Sequence, residues 1–367
     1  MKDLCDLTPE YIRSISPYQP GKPIADLERE LGLTHIIKLA SNENPLGPSP
    51  LAVVAIEKVM SELARYPDGN GFELKTNLAA RHHVKQEQII LGNGSNDILE
   101  FVARTFLGNG SSAVFSKHSF AVYPLVTQAV GAVGIEVPAH EFGHDLDAMV
   151  AAIRPDTRVM FIANPNNPTG TFVDGAALHA ALRRVPQEVL VVLDEAYTEF
   201  LPSAQRYNAI QWLSEIPNLL VCRTFSKAYG LAGLRVGFGV ARADIVGLMN
   251  RVRQPFNVNA LALTAANAAL DDSAFLQETL ALNNAGMMQL VQGVKALGLE
   301  HIPSFGNFVC IKVGNGLQVY HALLTRGVIV RPVASYQMPQ YLRVSVGLEA
   351  ENAAFLNALP LCLGAGA

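Results

Sequence analysis

TFSKAYGLAGLRVG, Thr224 to Gly237, sets a lysine, Lys227, between hydroxyl residues and a glycine-rich apolar run, with Arg235 eight positions on. The stretch follows LLVC, an apolar run of the kind that forms a buried strand. A cation at such a place is costly if it is buried without compensation. The bland reading is an exposed lysine. The chemical reading is an amine desolvated beside other cations, whose pKa falls and which becomes nucleophilic.

Outward from this segment, short apolar runs alternate with helical patterns. QIILGNG, SAVFS, GIEVP, RVMFIANP, VLVVLDEAY, LLVCRTFSK and RVGFGVA read as strands. SNDILEFVARTFL and GAALHAALRRV read as helices between them. The alternation predicts an α/β domain with a mostly parallel seven-stranded sheet covered on both faces. Polar residues cluster just after several strands, which is where ligands bind in open α/β sheets. Further on, the helical pattern FLQETLALNNAGMMQLVQGVKALGL and the strands NFVCIKV, GVIVRP and YLRVSVG predict a smaller α+β domain. The expected division is an arm over 1–45 that contributes to the small domain, a large domain over 46–255 and a small domain over 256–367.

The chain has 367 residues, half of them hydrophobic and 16% charged, with a net charge of −4. A large core is available and disorder is not expected. No basic block points to nucleic acid, and no long apolar or polybasic stretch points to a membrane. The start, MKDLCDLTPEYIRSI, lacks the apolar core of a signal peptide. Four scattered cysteines form neither a zinc pattern nor a disulfide framework, so a reduced, cytoplasmic setting is expected. His82 and His83 are adjacent, cannot share one helix face, and read as a solvated helix surface, not a metal site.

Three other stretches bear on chemistry. LGNGSND, Leu91 to Asp97, is a strand, a glycine turn and a helix start, whose N–H groups can hold a phosphate; it is also an ordinary turn. In ANPNNPTG, Ala163 to Gly170, prolines stiffen a loop and fix its amides, with Asn167 facing a ligand or simply rigid. VVLDEAY ends an apolar strand in Asp194 and Glu195; such a carboxylate needs a positive partner or caps a helix. Thr224, Ser226 and Arg235 add donors for a phosphate. An amine nucleophile, a buried acid, an orienting amide and a phosphate cup together are what pyridoxal 5′-phosphate requires.

The order of these motifs resembles the fold-type I pyridoxal-phosphate aminotransferases over nearly the whole chain. LASNENPLGPSP, RYPDGNG, GNGSND, NPNNPTG, LDEAY, FSKAYGLAGLRVG and RPVASYQMPQYLRVSVG look most like the histidinol-phosphate aminotransferase branch. The resemblance implies that Lys227 bonds the cofactor aldehyde, that Asp194 faces the pyridine nitrogen, and that Asn167 and Tyr197 face the ring oxygen. It puts Ser95, Asn96, Thr224, Ser226 and Arg235 in the phosphate cup and Phe120 on the ring. It gives Tyr66 to a neighbouring subunit's cofactor phosphate, which implies a homodimer. Tyr18, Asn42, Arg331 and Arg343 match substrate-side positions, Arg343 as the grip on a carboxylate.

Two departures stand out. Ser95-Asn96-Asp97 replaces the branch's usual Ser-Asp-Glu, and His118 with Phe120 replaces its Pro-Thr-Tyr pattern. Tyr123 is either a pocket wall or a packed core residue. The expected reaction is ping-pong transfer of the amine from histidinol phosphate to 2-oxoglutarate, giving imidazole acetol phosphate and glutamate, in histidine biosynthesis. An aromatic amino-acid aminotransferase would share every cofactor residue, and a threonine-phosphate decarboxylase would share the phosphate-binding arginines. A cofactor-binding regulatory domain would need an attached DNA-binding segment, for which the arm has no room.

Overall fold

A computed structural model describes residues 3–364. The large sheet has seven strands: β1 (Ile89–Gly92), β2 (Ser112–Ser116), β3 (Val133–Val137), β4 (Thr157–Ala163), β5 (Leu190–Asp194), β6 (Leu219–Thr224) and β7 (Gly237–Val240). Their order across the sheet is β1-β7-β6-β5-β4-β2-β3. All neighbours run parallel except β7, which is antiparallel to both β1 and β6. The central strands are apolar at nearly every position because both faces are covered. Side chains alternate across β5: Val191 and Leu193 enter the core on one face, Leu190 and Val192 the core on the other.

The return strand β7 brings Gly237 beside the start of the helix Ser95–Phe106. A Cβ there would lie 2.6 Å from the Ser95 nitrogen, so only glycine allows this approach. The approach sets the helix start over the carboxyl ends of the central strands, where Asp194, Thr224 and Lys227 also lie.

The smaller sheet orders Arg331–Pro332, Tyr341–Ser345, Phe308–Lys312 and His301–Ile302, all antiparallel. The long helix Ser273–Ala296 and the helix Glu349–Ala358 bury Leu290, Val294 and Phe355 with it. Ile37–Lys38 pairs in parallel with Val328–Ile329, which ties the arm to this part of the chain. The helix Ala260–Asp271 lies beyond the expected division at 255, yet it buries Ala262, Ala265, Ala266 and Ala269 in the core of the large sheet. Its small side chains admit close packing, and we propose a division near Asp272 instead.

His82 is half-buried against the Phe238 ring, and burial lowers its pKa to about 4, whereas His83 is exposed. Among the described residues no cluster of His, Cys, Asp and Glu could hold a metal, and no helix is long and apolar enough to cross a membrane.

Candidate active site

A cavity of about 190 Å³ opens where the carboxyl ends of the large sheet meet the smaller sheet and the arm. Tyr18, Asn42, Ser95, Asn96, Phe120, Asn167, Asp194, Tyr197, Thr224, Ser226, Lys227, Arg235, Arg331 and Arg343 all line it. Of the site residues that the motif resemblance implied, Tyr66 alone lies elsewhere. It is 82% exposed and stacked on Phe256, with ring centroids 4.7 Å apart. Four cations and one acid, Asp194, line the cavity among the described residues, so it suits an anionic ligand.

Lys227 follows β6, and its Nζ donates to the Ser41 carbonyl at 3.0 Å. Burial, then the Arg343 guanidinium, lowers its pKa to about 8. Asp194 ends β5. Burial raises its carboxyl to about 6, against the pull of two donors. These are the Tyr123 hydroxyl, 3.0 Å from Oδ2, and the Ala196 N–H, 3.2 Å from Oδ1. Tyr123 is itself fully buried, stacked on Phe161 at 4.9 Å and edge-on to Phe120 at 5.8 Å. It is therefore both a packed residue and a cavity wall. Burial raises its hydroxyl well above the usual range, so it remains a donor. Glu195, next in sequence, is fully buried and paired with Arg223, with Oε2 2.8 Å from Nη2 and 2.9 Å from Nε. The two carboxylates are thus separated in role by one residue: one faces the cavity and the other closes an internal ion pair.

The helix Ser95–Phe106 starts at Gly94, which has φ +80° and no side-chain cap. Its first N–H groups have no acceptor within the helix. A Cβ on Gly94 would come within 2.4 Å of Arg235 Nη2, so glycine lets the guanidinium lie over the helix start. Arg235, at φ +58°, donates to Ser226 Oγ at 3.3 Å, and the Ser226 N–H donates to Thr224 Oγ1 at 3.1 Å. These donors converge as an anion cradle. Asp97 turns away from it, accepting from the Asn93 N–H at 2.8 Å.

On the other wall, Arg331 and Arg343 are paired across adjacent strands. Arg343 donates to Asn167 Oδ1 at 2.6 Å and the Ala40 carbonyl at 2.8 Å, over the Phe308 ring. Its Nε is buried without a partner. Arg331 donates to the Gln19 carbonyl at 2.5 Å and lies over the Tyr18 ring. The Tyr197 hydroxyl accepts from Asn42 Nδ2 at 2.8 Å, and burial pushes its pKa up to about 12. Asn42, at φ +54°, is fixed by Ser345 Oγ and by Asn307.

The orphaned Arg343 donor, the glycine-cleared cradle and the cation-rich lining fit a phosphorylated aldehyde cofactor with a basic ring nitrogen. Residues 34–359 match the sequence profile of the family described as Aminotransferase class I and II. The chain belongs to that family.

Its relatives narrow the resemblance further. It is 58% identical over 364 residues to histidinol-phosphate aminotransferase 2 of Nitrosospira multiformis, covering 98% of this chain and 93% of that one. It is 59% identical over 361 residues to histidinol-phosphate aminotransferase of Methylobacillus flagellatus, covering 98% of each. The crystal structure of histidinol-phosphate aminotransferase from Sinorhizobium meliloti, in complex with pyridoxal 5′-phosphate, superposes with a TM-score of 0.90 at 27% identity over 98% of both chains. The large mixed sheet with a smaller α+β part is thus the fold-type I architecture that the motif order implied.

Several site contacts had no signal in the sequence. The Ser41 carbonyl that holds Lys227 is a backbone group. Phe308 under Arg343 reads as an ordinary core residue. The bond from Tyr123 to Asp194 joins residues 71 apart, and nothing local in the sequence announces it.

Proposed function

We propose that the protein is a pyridoxal-phosphate-dependent aminotransferase of histidine biosynthesis. It transfers the amine of histidinol phosphate to 2-oxoglutarate, giving imidazole acetol phosphate and glutamate. The observation that carries this reading is the convergence of Lys227, Asp194, an anion cradle and two arginines on one cavity. The near-full-length likeness to relatives of one name supports the substrate.

When bound, the cofactor supplies an electron sink for the bonds broken at the substrate carbon. Its phosphate would be held by the N–H groups of Ser95 and Asn96 and by Thr224, Ser226 and Arg235. Phe120 would stack on its ring, Asn167 and Tyr197 would meet the ring oxygen, and Asp194 would hold the ring-nitrogen proton. Asp194 can do so above about pH 6, where it is ionised. Lys227 Nζ would hold the cofactor's aldehyde carbon and, once displaced by the substrate amine, would carry the proton taken from the substrate carbon. With a pKa of about 8, roughly a quarter of these amines are neutral at pH 7.5, against about one in a thousand for an ordinary lysine.

Histidinol phosphate offers a phosphate and no α-carboxylate, whereas glutamate offers two carboxylates. Arg331 and Arg343 have the forked donors that match both groups. Tyr18 and Asn42 complete the substrate side. Tyr66 is exposed and does not line its own cavity, which supports giving it to that of a second copy in a two-fold dimer. A cytoplasmic location fits the scattered free cysteines, three of them buried.

The test is turnover with a panel of amine donors, including histidinol phosphate, other phosphate esters and phenylalanine, with 2-oxoglutarate as acceptor. Preference for histidinol phosphate is expected. Equal or better use of phenylalanine would favour the aromatic amino-acid aminotransferase reading, and release of carbon dioxide from threonine phosphate the decarboxylase reading.

A further inference from the structure

The segment Arg253 to Asn257 has a conformation that its composition does not favour. Phe256 has φ +55°, a left-handed backbone that a bulky side chain adopts only when its surroundings force it. Such outliers mark places where geometry serves a purpose. Here the outlier lies beneath Tyr66: the two rings stack at 4.7 Å with 25° between planes, and both remain exposed to solvent. Two exposed rings gain little from burial, so the stack fixes a direction more than it stabilises the fold.

The same segment grips the loop that carries Tyr66. Arg253 Nη1 donates to the Gly69 carbonyl at 2.9 Å and to Asn257 Oδ1 at 3.0 Å, and its Nε donates to Asn250 Oδ1 at 2.9 Å. Every acceptor is neutral, so this arginine is used for its geometry. A Cβ on Gly69 would be 3.2 Å from the Phe256 ring, so loop and ring are in close contact. Asn257 Nδ2 donates to Asp97 Oδ2 at 3.0 Å and to the Leu91 carbonyl at 3.2 Å. Asp97 in turn accepts the Asn93 N–H just before the anion cradle.

We propose that Arg253, Phe256 and Asn257 form a positioning platform that aims Tyr66 at the anion cradle of a second copy of this chain. Through Asp97 the platform is anchored to the cradle of its own subunit. It also gives the unusual Asn96-Asp97 pair a function: the short Asp97 carboxylate reaches Asn257. The proposal rests on the dimer reading above, and its test separates the two.

The test measures the dissociation constant of pyridoxal 5′-phosphate by equilibrium dialysis and by the visible absorbance of lysine-bound cofactor, in purified dimers. Phe256→Ala should weaken binding about tenfold, the scale of one misplaced charge-assisted hydrogen bond. Tyr66→Phe should set a similar scale, and Phe256→Tyr, which keeps a ring, should stay near wild type. Arg253→Gln, which leaves the stack in place, should weaken binding several-fold, and it serves if Phe256→Ala does not fold. Mixed dimers of two differently tagged chains decide the direction. With Phe256→Ala and Lys227→Ala in one chain and wild type in the other, the remaining lysine-bearing site should weaken. With the two substitutions in opposite chains, that site should bind as wild type. The reverse pattern, or no effect of Phe256→Ala and Arg253→Gln where Tyr66→Phe has one, overturns the platform and leaves the dimer standing. A monomer by sedimentation overturns both.

Discussion

On the large-sheet wall of the cavity, Asp194, Thr224 and Lys227 sit at or just past the ends of two adjacent strands, and their positions follow from strand register. On the facing wall, Arg331 and Arg343 are held by groups distant in sequence: the Gln19 carbonyl for one, Asn167 and the Ala40 carbonyl for the other. The backbone of the first wall is fixed by its own sheet, with only the Lys227 amine reaching the arm at Ser41, and it presents an amine and an acid in tuned environments. The second places two like charges across a strand pair, an arrangement that costs free energy until an anion arrives. The contrast assigns unchanging chemistry to one wall and changeable recognition to the other.

The largest expected effect breaks the first wall. Lys227→Ala should lower turnover by about 10⁴-fold or more, since it removes both the nucleophile and the proton carrier. Borohydride reduction of the holoenzyme followed by peptide mapping should label Lys227, and a label on another lysine would sink the assignment. Asp194→Asn comes next. An opposite charge at about 4 Å and an effective dielectric of about 20 is worth roughly 4 kcal/mol, so kcat should fall by about 10²- to 10³-fold with little change in KM. Losses that appear only in KM would mean that Asp194 serves binding alone.

The second wall should respond by substrate and not across the board. Arg331→Ala should cut kcat/KM for histidinol phosphate by about ten- to a hundredfold and affect glutamate less. Arg343→Ala should weigh more on glutamate and 2-oxoglutarate. Equal losses in both half-reactions for both variants would erase the division between them.

A pH series sharpens the contrast further. Lys227 is lowered to about 8, so the fraction of neutral amine grows as pH rises through 8. Asp194 is raised to about 6, so its charge also grows as pH rises through 6. Both act in one direction, and the rate at which the apoprotein takes up pyridoxal 5′-phosphate should climb between pH 6 and 8.5. A rate that falls over this range would refute the assigned protonation states. The smallest effect is expected from Tyr123→Phe. It removes a donor that lowers the Asp194 pKa, so the acid limb should move to higher pH, with a loss in kcat of about tenfold or less.

The first wall was also the more legible one. Apolar runs announced β4, β5 and β6, and the polar residues after them had to lie at the strand ends. The arginines could be named only through the motif resemblance, because nothing local says that Arg343 reaches Asn167, 176 residues away. The Glu195–Arg223 pair was hidden for the same reason: the acid was visible and its partner on the next strand was not. The helix Ala260–Asp271 escaped assignment to the large core because its contact face is alanine, which carries a weak hydrophobic signal but packs closely.

The pairing of Ile37–Lys38 with Val328–Ile329 has a consequence for how the protein is made. Ser345, which fixes Asn42 from 303 residues away, is translated after the whole of the large sheet. Every residue of the anion cradle, with Asp194 and Lys227, has by then been translated. Chains fold broadly from the amino-terminal side as they emerge, and contacts between remote segments are slow to close. The sheet that holds Lys227 therefore matures with its arm still undocked. A chain interrupted before Val328 would carry Lys227 without the wall that chooses its substrate and without the Arg343 charge that helps lower its pKa.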